Sequence, residues 1–178
     1  MRFSLIVTHD SSPVSTSAEI LDALLPLDPQ AQVLRTRHRG VLVVDTNLDP
    51  IDATKAISAY LPATINRIVP VLKVTGASLS EVIDSTLEAL RGMKPMRSFA
   101  VRATVRGNNL SKSLIENDLG AAIKAQLGTK VDLRNPEQLV LIEIIDEIAC
   151  ISVVDEGCPI HVRRMVGNYM EGDYSPTS

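Results

Sequence analysis

Apolar residues come along this chain in short runs separated by turn-forming residues, and the runs alternate between strand-like and helical spacing. Residues 2 to 8, RFSLIVT, form an aliphatic run suited to a strand. From Ser17 to Leu25 the apolar positions Ile20, Leu21, Leu24 and Leu25 fall at helical spacing, and Pro26 stops the run. Gln32 to Arg37 and Val41 to Asp45 read as two strands joined at Arg37-His38-Arg39-Gly40, where the glycine permits a tight turn. Asp49 as N-cap and Pro50 at the first helical position open a helix that runs through Leu61 and is closed by Pro62. Ile65 to Val74 supplies a further strand.

These six elements, strand, helix, strand, strand, helix, strand, match the split βαβ or ferredoxin-like module and place a first domain at residues 1–74. A second unit follows over 75–155. Ser78 with Glu81 predicts a capping box for a helix reaching about Leu90, ended by Gly92 and Pro95. Ser98 to Val105 alternates as a half-buried strand, with Phe99, Val101, Ala103 and Val105 on one face and Arg102, Thr104 and Arg106 on the other. After a turn at Gly107-Asn108-Asn109, Ser113 and Glu116 are expected to cap a helix ending at Leu127, with Gly128 as its stop. Val131 to Leu133, Leu139 to Ile144 and Ile148 to Val154 read as strands, and 156–178 as a C-terminal tail in which His161 to Tyr169 could form a short helix. The fold class is α/β (α+β) in two modules.

Composition narrows the possibilities. A hydrophobic content of 45% against 22% charged residues is that of a chain able to fill a core. Two Phe, three Tyr and no Trp leave few rings for bases to stack on, which disfavours a single-strand binder built on aromatic platforms. The net charge of -3 argues mildly against nucleic acid, but its distribution is uneven. No acidic residue lies between Glu88 and Glu116, a stretch holding Arg91, Lys94, Arg97, Arg102, Arg106 and Lys112; a second acid-free window holds Arg35, Arg37, His38 and Arg39. Two cysteines and no signal peptide at Met1 point to a reducing compartment, the cytoplasm, and no run is long and apolar enough to span a membrane. Cys150, Cys158 and His161 are a poor match to the paired spacing of zinc sites, so no metal is expected, and no cofactor fingerprint is present.

The stretch from Arg97 to Ile151 resembles the THUMP domain of RNA-modification enzymes. The matching residues are Phe99-Ala100-Val101-Arg102, Arg106-Gly107, Ser113 with Ile115-Glu116, Gly120-Ala121-Ala122-Ile123, Val131-Asp132-Leu133, Asn135-Pro136 and Glu143. Members of that family commonly carry a ferredoxin-like domain in front of the THUMP unit. The resemblance implies recognition of the acceptor stem and 3′ end of tRNA. Because only about 24 residues follow Val154, it also implies a non-enzymatic adaptor that presents tRNA to a separate RNA cytidine acetyltransferase making N4-acetylcytidine.

Residue by residue, Arg102 and Arg106 share the face opposite the core and suit bidentate phosphate contact; the alternative is a pair with Glu143 or Asp132. The loop from Gly107 to Ser113 enters a helix N-terminus, which favours an anion, and Lys112 adds charge; Ser113 could simply cap, and Asn108 could simply turn. Lys130 and Arg134 flank Asp132, so a salt bridge and an RNA role both stand. By the resemblance, Arg37 and Arg39 help the first module hold the tRNA end. Two readings from other classes stay open: a small enzyme or metabolite-binding regulator on a ferredoxin-like scaffold, and a protein-only assembly factor.

Overall fold

The structure is a computed structural model that describes residues 3–162. It has two compact units, residues 3–70 with 159–162, and residues 71–158.

The first unit runs β1 (Leu5–His9), α1 (Pro13–Leu24), β2 (Gln32–Arg35), β3 (Val41–Asp45), α2 (Pro50–Ala59) and β4 (Ile65–Pro70). Its four strands are all antiparallel in the order β2-β3-β1-β4, which is the strand-helix-strand-strand-helix-strand order read from the sequence. Ile20 and Leu24 of α1 and Ala53 and Ile57 of α2 share a core with Leu5, Val7, Leu42, Val44, Ile65 and Ile68. Ile6, Val41, Val43 and Val69, on the other sheet face, are buried as well, which is why these strands read as unbroken apolar runs. Helix α1 starts earlier than its apolar spacing indicates. Ser12 is the N-cap, accepting from the Val14 N–H, with Pro13 at the first helical position.

The second unit runs β5 (Lys73–Gly76), α3 (Leu79–Arg91), β6 (Ser98–Arg106), α4 (Lys112–Leu127), β7 (Lys130–Val131), β8 (Gln138–Ile145) and β9 (Ile148–Asp155). The sheet order is β5-β9-β8-β6-β7, with β7 and β8 parallel to β6 and the remaining pairs antiparallel. Both helices cover one face, where Phe99, Val101, Ala103, Val140, Ile142, Ala149, Ile151 and Val153 meet Val82, Leu87, Ile115, Leu119 and Ile123. Ser78 caps α3 as read, its hydroxyl accepting from the Glu81 N–H, but the Glu81 carboxylate accepts from the Ser78 hydroxyl where a capping box would have it on the Ser78 N–H.

Three expectations change. The run from Ile65 to Val74 is two strands and not one: β4 ends at Pro70, which has no N–H to continue a ladder, and Lys73–Gly76 pairs with β9 in the second sheet. The domain boundary therefore falls at Pro70-Val71, ahead of position 74. Residues 159–162 are not a free tail. The Ile68 N–H donates to the Ile160 carbonyl at 2.9 Å, and Val162 is buried in the first core. The expected helix from His161 to Tyr169 lies almost wholly outside the described residues. Finally, β2 stops at Arg35, because the Thr36 hydroxyl turns to the carbonyls of His38 and Val41 (3.2 and 3.0 Å), and Gly40 closes the turn at φ 74°. A Cβ on Gly40 would stand 2.6 Å from the His9 carbonyl oxygen, so the close approach of the loop to β1 requires glycine.

Candidate nucleic-acid interface

Strand register decides which side chains of the second unit share a face. Thr104 pairs with Glu143 on β8 and Glu143 with Cys150 on β9, so Arg102, Thr104, Arg106, Glu143 and Cys150 all project from the face opposite the helices. On that face Arg106 does not stand open to solvent. Its Nη1 donates to Glu143 Oε2 at 2.7 Å, and Glu143 is 1% exposed. Of the two readings for Arg106, the ion pair is the one formed. Burial, and secondarily the facing Glu143 carboxylate, push the Cys150 thiol up to about 12, which leaves it unreactive. Among the described residues no group of three His, Cys, Asp or Glu side chains is placed to hold a metal. No helix among them is long and apolar enough to cross a membrane.

Arg102 is exposed, but its guanidinium is tethered: Nη1 donates to the Val101 carbonyl at 3.1 Å and Nη2 to the Leu133 carbonyl at 2.8 Å. It steadies the segment after β7. That segment is built by Asp132, whose N–H donates to the Phe99 carbonyl while its Oδ1 accepts from the N–H groups of Arg134 and Asn135 at 3.1 and 3.0 Å. The Asn135 and Arg134 backbone donors, and then the Lys130 charge, hold the Asp132 carboxyl below the usual carboxylate range. Asp132 is thus occupied by backbone. Among the described residues it forms no ion pair with Lys130 or Arg134, and both cations are exposed. The strand expected over Val131–Leu133 stops at Val131 for the same reason.

At the far end of β6 the picture is structural. Asn108 uses both ends of its amide, accepting from the Leu110 N–H and donating to the Asp146 carbonyl at 2.7 Å, so it locks the turn. Ser111, not Ser113, is the N-cap of α4, accepting from the Leu114 N–H. Ser113 only meets the Ser111 hydroxyl. Glu116 is drawn away from any capping role, because its Oε1 accepts the Ala103 N–H of β6 at 2.9 Å. Lys112, itself exposed, sits 3.7 Å from the half-buried Glu116 in a long helical pair of little energetic weight.

The predicted residues therefore divide. Lys130 is in register with Ser98, and Arg106 lies eight residues further along β6, about 26 Å away. Lys130 and Arg134 lie near the start of β6, and Arg102, at the middle of that strand, reaches the same segment through the Leu133 carbonyl; Arg106, Asn108, Lys112 and Ser113 gather at the end of β6. In the first unit, Arg37 and Arg39 lie exposed on the β2–β3 loop beside a groove of about 680 Å³ that also takes in Arg35, His38, His9 and Asp10. Sequence reasoning left Lys94 and Arg97 off the site, although both line a cleft with Lys130. The acid-free window that contains them was the available signal.

Residues 77–154 match the family model of the THUMP domain, and the second unit is a THUMP domain. An uncharacterized protein of Schizosaccharomyces pombe is 29% identical over 111 residues, 58% of this chain and 36% of that relative. Three solved structures share the fold. PH1313 from Pyrococcus horikoshii aligns at a TM-score of 0.65 and 20% identity, covering 85% of this chain and 54% of that one. TrmN from Thermus thermophilus aligns at 0.63 and 18%, covering 94% and 50%. A 4-thiouridine synthetase, solved in complex with RNA and bound ATP, aligns at 0.51 and 17%, covering 86% and 42%. The chain thus spans about a third of its curated relative and about half of each solved chain.

Proposed function

We propose that this protein binds tRNA in tRNA modification, gripping the acceptor stem and 3′ end through backbone contacts. The observation that carries this reading is the arrangement after β7. A carboxylate placed by sequence between two cations is turned to backbone N–H groups, so Lys130 and Arg134 keep their charge available for phosphate. The THUMP match over residues 77–154 and the fold shared with a synthetase solved on RNA support the same direction. Few aromatic rings and an exposed cationic segment suit contacts to phosphate and shape more than base reading.

In this reading the protein supplies binding and a partner supplies chemistry. The partner is an RNA cytidine acetyltransferase, and the product is N4-acetylcytidine in tRNA. Reconstitution tests the adaptor role. A purified acetyltransferase should acetylate tRNA efficiently only when this protein is added, and the protein alone should leave the tRNA unmodified. Equal acetylation with and without it would contradict the role.

A further inference from the structure

Helix α1 buries only part of its apolar surface. Ile20 and Leu24 enter the first core, whereas Val14, Ala18, Leu21 and Leu25 follow one another at i, i+4, i+7 and i+11 along the outer side. Leu21 is half-buried, but Val14 and Leu25 are 63% and 41% exposed, and Leu27, just past the helix, is 59% exposed.

The two ends of this helix layer differ in charge. The four strands are all antiparallel, so α1 and α2 run in opposite directions and the last turn of α1 shares an end of the unit with the first turn of α2. Asp28 ties that end together, accepting from the Thr46 hydroxyl and the Asn47 N–H just ahead of the Asp49 cap. At the other end, about 18 Å away along α1, the His9 N–H donates to the Gly40 carbonyl at 3.0 Å, which sets the loop of Arg37 and Arg39 beside the start of α1. Residues 13–28 and 49–61 hold five acidic residues and one lysine. Glu19 is spent on the Ala63 and Thr64 N–H groups and Asp28 on Thr46 and Asn47. Asp22, Asp49 and Asp52 are exposed at the end that carries Leu25 and Leu27, and Lys55 pairs with Asp52 at 3.2 Å. Asp22, one turn before Leu25, forms no ion pair among the described residues.

Carboxylates around an open apolar helix side repel RNA phosphate, and they repel an anionic membrane surface for the same reason. They complement a protein segment that carries apolar side chains among lysines and arginines. We infer that the end of the first unit formed by Leu21, Asp22, Leu25 and Leu27, with Asp49 and Asp52 beside them, docks a basic, apolar segment of the modifying enzyme. The inference rests on the adaptor reading above and adds where the enzyme attaches. Because Arg37 and Arg39 lie at the other end, the same unit can face the enzyme and an RNA at once.

The experiment uses the full chain and a purified RNA cytidine acetyltransferase, without RNA. The wild-type protein should bind the enzyme, and more weakly as salt rises. Leu25→Ser with Leu27→Ser should weaken that binding at least about tenfold, as loss of central apolar anchors does. Asp22→Lys, at an exposed position, should weaken it mainly at low salt. These variants should keep the wild-type unfolding midpoint and tRNA affinity. Val14→Ser, at the far end of the same helix and also exposed, should leave enzyme binding unchanged. Wild-type affinity in the leucine and Asp22 variants, or equal weakening by Val14→Ser, would overturn the inference and leave the adaptor reading intact; no binding of the enzyme by the wild type would overturn both.

Discussion

Arg106 and Glu143 form a 2.7 Å ion pair across adjacent parallel strands, with the carboxylate 1% exposed. A guanidinium spent on a buried carboxylate contributes little free charge to a phosphate, and its main effect is on folding. Arg106→Ala should therefore destabilise the protein by about 3 kcal/mol, as breaking one side of a buried pair does. Urea unfolding measures this; an unchanged midpoint would mean that the pair contributes nothing. Loss of RNA binding in this variant would need to be read against that lost stability.

Helix α4 gives a sharper contrast. Ser111 accepts from the Leu114 N–H, whereas Ser113 meets only another hydroxyl. Ser111→Ala should cost about 1 kcal/mol and Ser113→Ala well under half of that. Thermal unfolding of the two variants side by side checks the assignment, and the reverse order would return the cap to Ser113.

Acid stability of the first unit should depend on Asp28. Its carboxylate accepts from the Thr46 hydroxyl at 2.6 Å and the Asn47 N–H at 2.7 Å, and these bonds lower it to about 2. The folded value lies below the unfolded value of about 3.9, so the contribution is full above pH 4 and is lost as pH falls toward 2. Asp28→Asn should flatten the stability profile between about pH 4 and 2. A profile as steep as that of the wild type would show that other carboxylates govern that window.

Much of the fold was legible because its signals are local. The alternation from Ser98 to Arg106, the Ser78 cap, Asp49-Pro50 and the Gly128 stop at φ 68° each carry their own punctuation. The break after Pro70 was hidden, since VPVLKV continues an apolar run across it. The start of α1 was available in Ser12-Pro13 but lies outside the apolar stripe. Ser113 and Glu116 have capping-box spacing, yet Glu116 is claimed by the Ala103 N–H on another element.

The candidate site was harder to read because its pairings are non-local. Alternation shows that Arg106 leaves the core face, but not that β8 brings Glu143 beside it. Equally, the spacing of Lys130, Asp132 and Arg134 suggests a salt bridge, whereas the chain bends after Val131 so that Asp132 binds its own backbone. Lys94 and Arg97 become neighbours of Lys130 only once β7 pairs with the start of β6.

The most direct test of the central claim is a titration of wild type and a Lys130→Ala, Arg134→Ala double variant against intact tRNA at several salt concentrations. Binding by the wild type should fall steeply with salt. The double variant should bind more weakly, with a slope of log affinity against log salt flatter by about 1.4 to 1.8, the sum of two lost phosphate contacts, and an unchanged unfolding midpoint. Equal affinity and equal slope for the two proteins would contradict the account.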